Sequence, residues 1–134
     1  MTLFSPRNRR RIGGYQASIR EWMLKCFRAS TMTNRRERAF RFLEESLELF
    51  QAMDCTKEEA LELVGYVFSR PKGDPAQEVG GSYTTLAALC VAAGINGEEA
   101  AIKELERINT PEVLAKIRAK RASRVVPGDY AGES

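Results

Sequence analysis

The sequence predicts an all-α fold. Three observations carry this: helix-start signatures recur along the chain, apolar residues repeat at three- and four-residue spacing, and alternating strand-like runs are nearly absent.

The first helix is expected from about Tyr15 to Arg28, with Ile19, Trp22, Met23, Cys26 and Phe27 as its apolar side. The second starts at Asn34, which with Glu37 has capping-box spacing, and runs to about Met53. Thr56-Lys57-Glu58-Glu59 opens the third with the same box, and Pro71 stops it after Phe68. Asp74-Pro75-Ala76-Gln77 opens the fourth, with Asp as N-cap and Pro at the first helical position; Gly94 ends it. Asn96-Gly97-Glu98-Glu99 begins a fifth that ends near Asn109, and Thr110-Pro111 begins a sixth that runs to about Ala122. Short connections favour antiparallel neighbours in a bundle. The expected organisation is one helical domain over 15–124, with a basic flexible tail at 1–14 and a flexible tail at 125–134.

Composition removes several function classes. The chain has 134 residues, 43% of them apolar and 29% charged, in the globular range. It has no histidine, which excludes a His-based triad, an imidazole proton shuttle and a His metal ligand. The longest uncharged stretch, Val79 to Gly97, is rich in Gly, Ala, Thr and Ser and carries Asn96, so no membrane span is expected. Residues 1–14 are arginine-rich with no hydrophobic h-region, and Cys26, Cys55 and Cys90 are far apart with no CxxC pair. Reduced thiols and a cytoplasmic location are the expectation.

Charge is segregated. Residues 1–41 hold 11 Lys/Arg against 2 Asp/Glu, 42–112 hold 5 against 14, and 113–134 hold 5 against 2. An acidic middle between basic ends implies either carboxylates gathered around a cation or complementary surfaces that pair with one another.

On the second helix, Phe40, Leu43, Leu47 and Phe50 form one apolar stripe, widened by Phe42, Leu49 and Met53. Glu44, Glu45 and Glu48 occupy what remains. They are either a solvated face or part of a metal site. The fourth helix is apolar or small all round beyond Glu78, which predicts that it lies buried at the centre of its domain. Glu78 then either sits on the positive end of the helix dipole or faces Glu45 and Glu48 as a ligand. Carboxylates without His or Cys favour a hard cation such as Mg²⁺ or Mn²⁺.

Glu45-Ser46-Leu47-Glu48, followed by Glu78-Val79-Gly80-Gly81 on a later helix, resembles the all-α MazG-like nucleoside triphosphate pyrophosphohydrolases, whose hallmark is ExxE on one helix and ExxD on a later one. The context RFLEESLELFQAMDCTKEEALELVGYVFSRPKGDPAQEVGGSYTTLAALCVAAGI and the flanks YQASIREWMLKCF and ELERINTPEVLAKIRAK extend the resemblance over roughly Tyr15 to Arg124. The resemblance implies a bundle of five to six helices that forms a homodimer or homotetramer. It implies Mg²⁺ bound by an acidic cluster, and cleavage of a (d)NTP to its monophosphate and pyrophosphate, which clears unwanted nucleotides. By position, Glu45 and Glu48 match ExxE and would be catalytic. Glu78 matches the first acid of ExxD, and Glu44 is a further ligand. One position departs: Gly81 stands where the motif ends in Asp. The alternative is a catalytically impaired nucleotide-binding or nucleic-acid-binding helical protein.

A triphosphate also needs cations, and Lys103, Arg107 and Lys116, with Asn109 between them, are candidates for a substrate-binding face. Trp22 and Tyr83 could stack on a base, although the spacing of Trp22 with Ile19, Met23 and Cys26 suits a core. The Arg7-Asn8-Arg9-Arg10-Arg11 run could contact nucleic acid, but no nucleic-acid motif accompanies it, so no such partner is expected.

Overall fold

The computed structural model describes residues 13–123. Among these residues there are seven α-helices and no strand: α1 (Gly14–Cys26), α2 (Ala29–Met32), α3 (Arg35–Ala52), α4 (Lys57–Phe68), α5 (Pro75–Ala93), α6 (Gly97–Ile108) and α7 (Pro111–Ser123). The all-α expectation holds. The arginine run and the two expected tails, apart from Gly13 and Gly14, lie outside the described residues.

The chain divides into two units: residues 36–97, and residues 1–35 together with 98–134. In the second of these, α1 packs on α7 and on α2. Its apolar side follows the sequence pattern: Cys26 is buried, and Ile19, Trp22, Met23 and Phe27 are half-buried. Polar groups close the helix ends against one another. The Trp22 indole N–H donates to the last carbonyl of α6, that of Ile108, at 3.2 Å, and Lys25 Nζ donates to Asn109 Oδ1 at 3.3 Å. The Arg118 guanidinium of α7 donates to the Lys25 carbonyl in the last turn of α1 through Nε, at 3.1 Å, and through a second nitrogen. The Ile108 and Lys25 carbonyls lie in the last turns of their helices, so the bonds from Trp22 and Arg118 satisfy helix termini.

One helix more than expected is present. α1 stops at Cys26, because Phe27 (φ −131°, ψ 154°) and Arg28 (φ −72°, ψ 157°) are extended. The chain then makes the four-residue α2, whose Thr31 is buried. A single turn is too short to leave a periodic signal.

Residues 36–97 hold most of α3, and all of α4 and α5. Caps set their ends. Thr56 and Glu59 form both arms of a capping box, with Glu59 N donating to Thr56 Oγ1 at 3.2 Å and Thr56 N donating to Glu59 Oε1 at 2.8 Å. Asp74 accepts from Gln77 N at 3.0 Å, and Pro75 occupies the first helical position of α5. α5 closes on Gly94, whose φ of 68° suits a residue without Cβ. α3 closes in the same way on Asp54 (φ 62°), with Cys55 N reaching Phe50 O at 3.2 Å and Asp54 N reaching Gln51 O at 3.0 Å.

The expected burial of α5 is not met. Within one chain α3, α4 and α5 have no buried residue, and no two of them pack extensively on each other. Tyr83 is 68% exposed and Val91 83%. An apolar helix predicts burial but does not name the surface that buries it.

Candidate functional site

α3 is a continuous helix, so Glu45 and Glu48 stand one turn apart on it, both exposed. Ser46 between them turns its hydroxyl back to the Phe42 carbonyl at 2.8 Å. Glu44 is half-buried and accepts from Arg41 at 2.7 Å, so its charge is already partly neutralised.

Glu78 lies in the first turn of α5, where the helix dipole favours an anion. It is exposed, and its carboxylate folds back over Gly73: a Cβ at that position would run into it. Gly81, one turn further on, is helical, and a Cβ built there meets nothing. The missing carboxylate of the ExxD pattern is therefore not excluded by crowding.

Among the described residues no three His, Cys, Asp or Glu side chains come together as a group that could hold a metal ion. Glu45 and Glu48 on α3 are not joined by Glu78 on α5 within one chain. Among the described residues of one chain, no ready site for a divalent cation is therefore assembled.

The cationic candidates belong to the other unit, on α6, α7 and the turn between them. Lys103 pairs with Glu99 at 2.9 Å, and Arg107 makes two bonds to Glu104, Nε to Oε2 at 2.9 Å and a second at 2.5 Å to Oε1. That pairing holds the Glu104 carboxyl below the usual range, chiefly through the hydrogen bond from Arg107. Asn109 accepts from Lys25, and Lys116 is exposed on α7. Lys103 and Arg107 thus each face an acid on their own helix.

Sequence reasoning missed a cleft in this unit. Tyr15 and Ser18 of α1, Ile102, Leu105 and Glu106 of α6, and Asn109 line about 440 Å³. Tyr15 donates its hydroxyl to the Ala101 carbonyl at 3.0 Å. The one charged residue in the lining is an acid, which disfavours a phosphate there. The three cysteines are free, and burial pushes the Cys26 thiol above its ordinary range, against the opposing charges of Arg118 and Lys25.

No protein-family model, curated protein or solved structure matches this chain. No single helix among the described residues is long and apolar enough to cross a membrane.

Proposed function

We propose that this chain is a MazG-like pyrophosphohydrolase, acting on a nucleoside or deoxynucleoside triphosphate in the cytoplasm as a homodimer or homotetramer. The observation that carries the reading is the Glu45-Ser46-Leu47-Glu48 pair, exposed on one continuous helix and followed by Glu78 at the start of a helix with almost no other charge.

The reaction adds one water across the α–β phosphoanhydride: a new P–O bond forms at the α-phosphorus, the bridging bond breaks, and monophosphate and pyrophosphate leave. Glu48 or Glu45 would accept the proton of the attacking water, a role worth about 10²–10⁴ in rate. Mg²⁺, or Mn²⁺ in its place, belongs to the reading, with Glu44, Glu45, Glu48 and Glu78 as its ligands. Because one chain does not gather these residues, the assembled oligomer is the species to assay.

The test is pyrophosphate release from a panel of NTPs and dNTPs with Mg²⁺, with Mn²⁺ and with EDTA. Metal-dependent release, at least about 100-fold lower in Glu48→Gln, is expected. Absence of release from every nucleotide by folded protein would overturn it. Gly81 favours a second reading, a nucleotide-binding relative without turnover. That protein would retain labelled nucleotide in equilibrium dialysis and release no pyrophosphate.

A further inference from the structure

α1 and α6 run side by side in the same direction. Tyr15 and Trp22 on α1 reach two carbonyls of α6 at the same sequence separation, those of Ala101 and Ile108. About 10 Å of each helix lies between the two bonds. α1 packs on α7 and α2, so along this stretch the two aromatic side chains tie α6 to it. The cleft of about 440 Å³ opens between α1 and α6, wholly within the unit of residues 1–35 and 98–134. Sites for small molecules occupy about 300–1,000 Å³.

The chemistry of its wall follows from the α6 sequence. Ile102, Leu105, Glu106 and Asn109 recur at helical spacing and form one face, which puts a carboxylate within an apolar stripe. Glu99 and Glu104 are neutralised on their own helix, by Lys103 and by Arg107. Glu106 has no such neighbour. Asn109 and Thr110 stand where a cation ahead of it would be, and Lys103, one turn behind, is held by Glu99. Among the described residues Glu106 forms no ion pair. Asn109 has a fixed orientation: lysine only donates, so the amide oxygen faces Lys25 and the amide NH₂ is left to donate elsewhere.

We propose that this cleft binds a small organic cation, a protonated amine carried on an apolar body. The ammonium pairs with Glu106 beside Tyr15, the body lies on Ile102 and Leu105, and an oxygen on the ligand accepts from Asn109. Three arguments select this class. An anion meets a carboxylate and no cation in the lining. A hard divalent ion wants about six oxygen ligands or more, and the lining offers one carboxylate. A wholly apolar ligand would cover Glu106 without giving it a partner. The proposal is independent of the nucleotide reading, whose acids all lie in residues 36–97, and the charge that holds an amine here repels a triphosphate.

Isothermal titration of the full chain with phenethylamine and hexylamine tests it, each beside the alcohol and the carboxylate of the same skeleton. Saturable one-to-one binding of at least one amine is expected, at least about tenfold weaker for its alcohol and absent for its carboxylate. Glu106→Gln keeps the shape and removes the charge, and should weaken the amine by at least about tenfold at unchanged helical content. Ser18→Phe, at an exposed position, fills the cleft from the α1 side and should abolish binding. In the wild type, amide NMR shifts on titration should centre on Tyr15, Ser18, Ile102 and Asn109. Absence of saturable binding for both amines overturns the proposal. So does binding that neither variant changes, or shifts confined to other residues. The chain carries organic cations of its own in Arg9, Arg10 and Arg11, shortly before Tyr15. Repeating the titration on a chain lacking residues 2–12, at unchanged helical content, separates the two sources. An affinity within about threefold of the full chain supports a free ligand, whereas a gain of about tenfold or more overturns it and assigns the cleft to those arginines.

Discussion

Cys26 shows how one residue position was readable and its consequence was not. Its place on the apolar side of α1 follows from spacing with Ile19, Trp22 and Met23, and it is buried as that spacing predicts. Its raised pKa follows only from three-dimensional burial. Because the thiol is raised in the folded chain, the unfolded chain ionises first as pH climbs. The stability this gives is complete below the ordinary thiol pKa of about 8.5 and is lost as pH rises through the folded value. Melting temperatures between pH 8 and 10 should therefore fall more steeply for wild type than for Cys26→Ala. Titration with a disulfide reagent at neutral pH should modify Cys55, half-buried in the turn between α3 and α4, before Cys26. The candidate site was readable to the same depth. Sequence places Glu45 and Glu48 one turn apart on α3 and Glu78 at the start of α5. It does not reveal that Arg41 already holds Glu44, or that α3 and α5 fail to bring their acids together.

At the scale of the helix, the starts of α4, α5, α6 and α7 were legible because a cap is a local device. Thr56 and Glu59 satisfy two backbone donors reciprocally, and Asp74 with Pro75 fixes the entry to α5. The short α2 was not legible, since it depends on two extended residues, Phe27 and Arg28, that no cap signals. Thr56→Ala removes one arm of the box and should cost about 1 kcal/mol, read as a lower denaturant midpoint at unchanged slope. The end of α3 predicts the opposite sign. Asp54 carries a side chain in the left-handed region that Gly94 occupies at the end of α5. Asp54→Gly should relieve that strain and stabilise by up to about 1 kcal/mol, net of the entropy glycine adds to the unfolded chain. A lower midpoint for Asp54→Gly would mean that the aspartate side chain contributes more there than the strain costs.

For the molecule as a whole, the sequence carries the segregation of charge, and its use has to be argued from what each partner would need. The acids that match the hydrolase pattern lie in the middle of the chain, whereas Arg7, Arg9, Arg10 and Arg11 lie in the first twelve residues. A nucleotide substrate would engage the middle. A polynucleotide would engage the arginines by displacing counterions, which makes its affinity fall with salt at about 0.7–0.9 log units per log unit of salt for each phosphate contacted. Four arginines bound the slope at roughly −3 to −4 if they act alone. Deleting residues 2–12 separates the two uses. If the acidic middle carries the function, the shortened chain keeps its pyrophosphate release within about twofold, because no residue assigned to the reaction is removed. Whatever affinity the full chain shows for a single-stranded oligonucleotide at low salt should then disappear with the arginines. Loss of turnover in a shortened chain that keeps its helical content and its oligomeric mass would instead place the arginine run at the triphosphate, as the cations that Lys103 and Arg107, each paired on its own helix, do not readily supply.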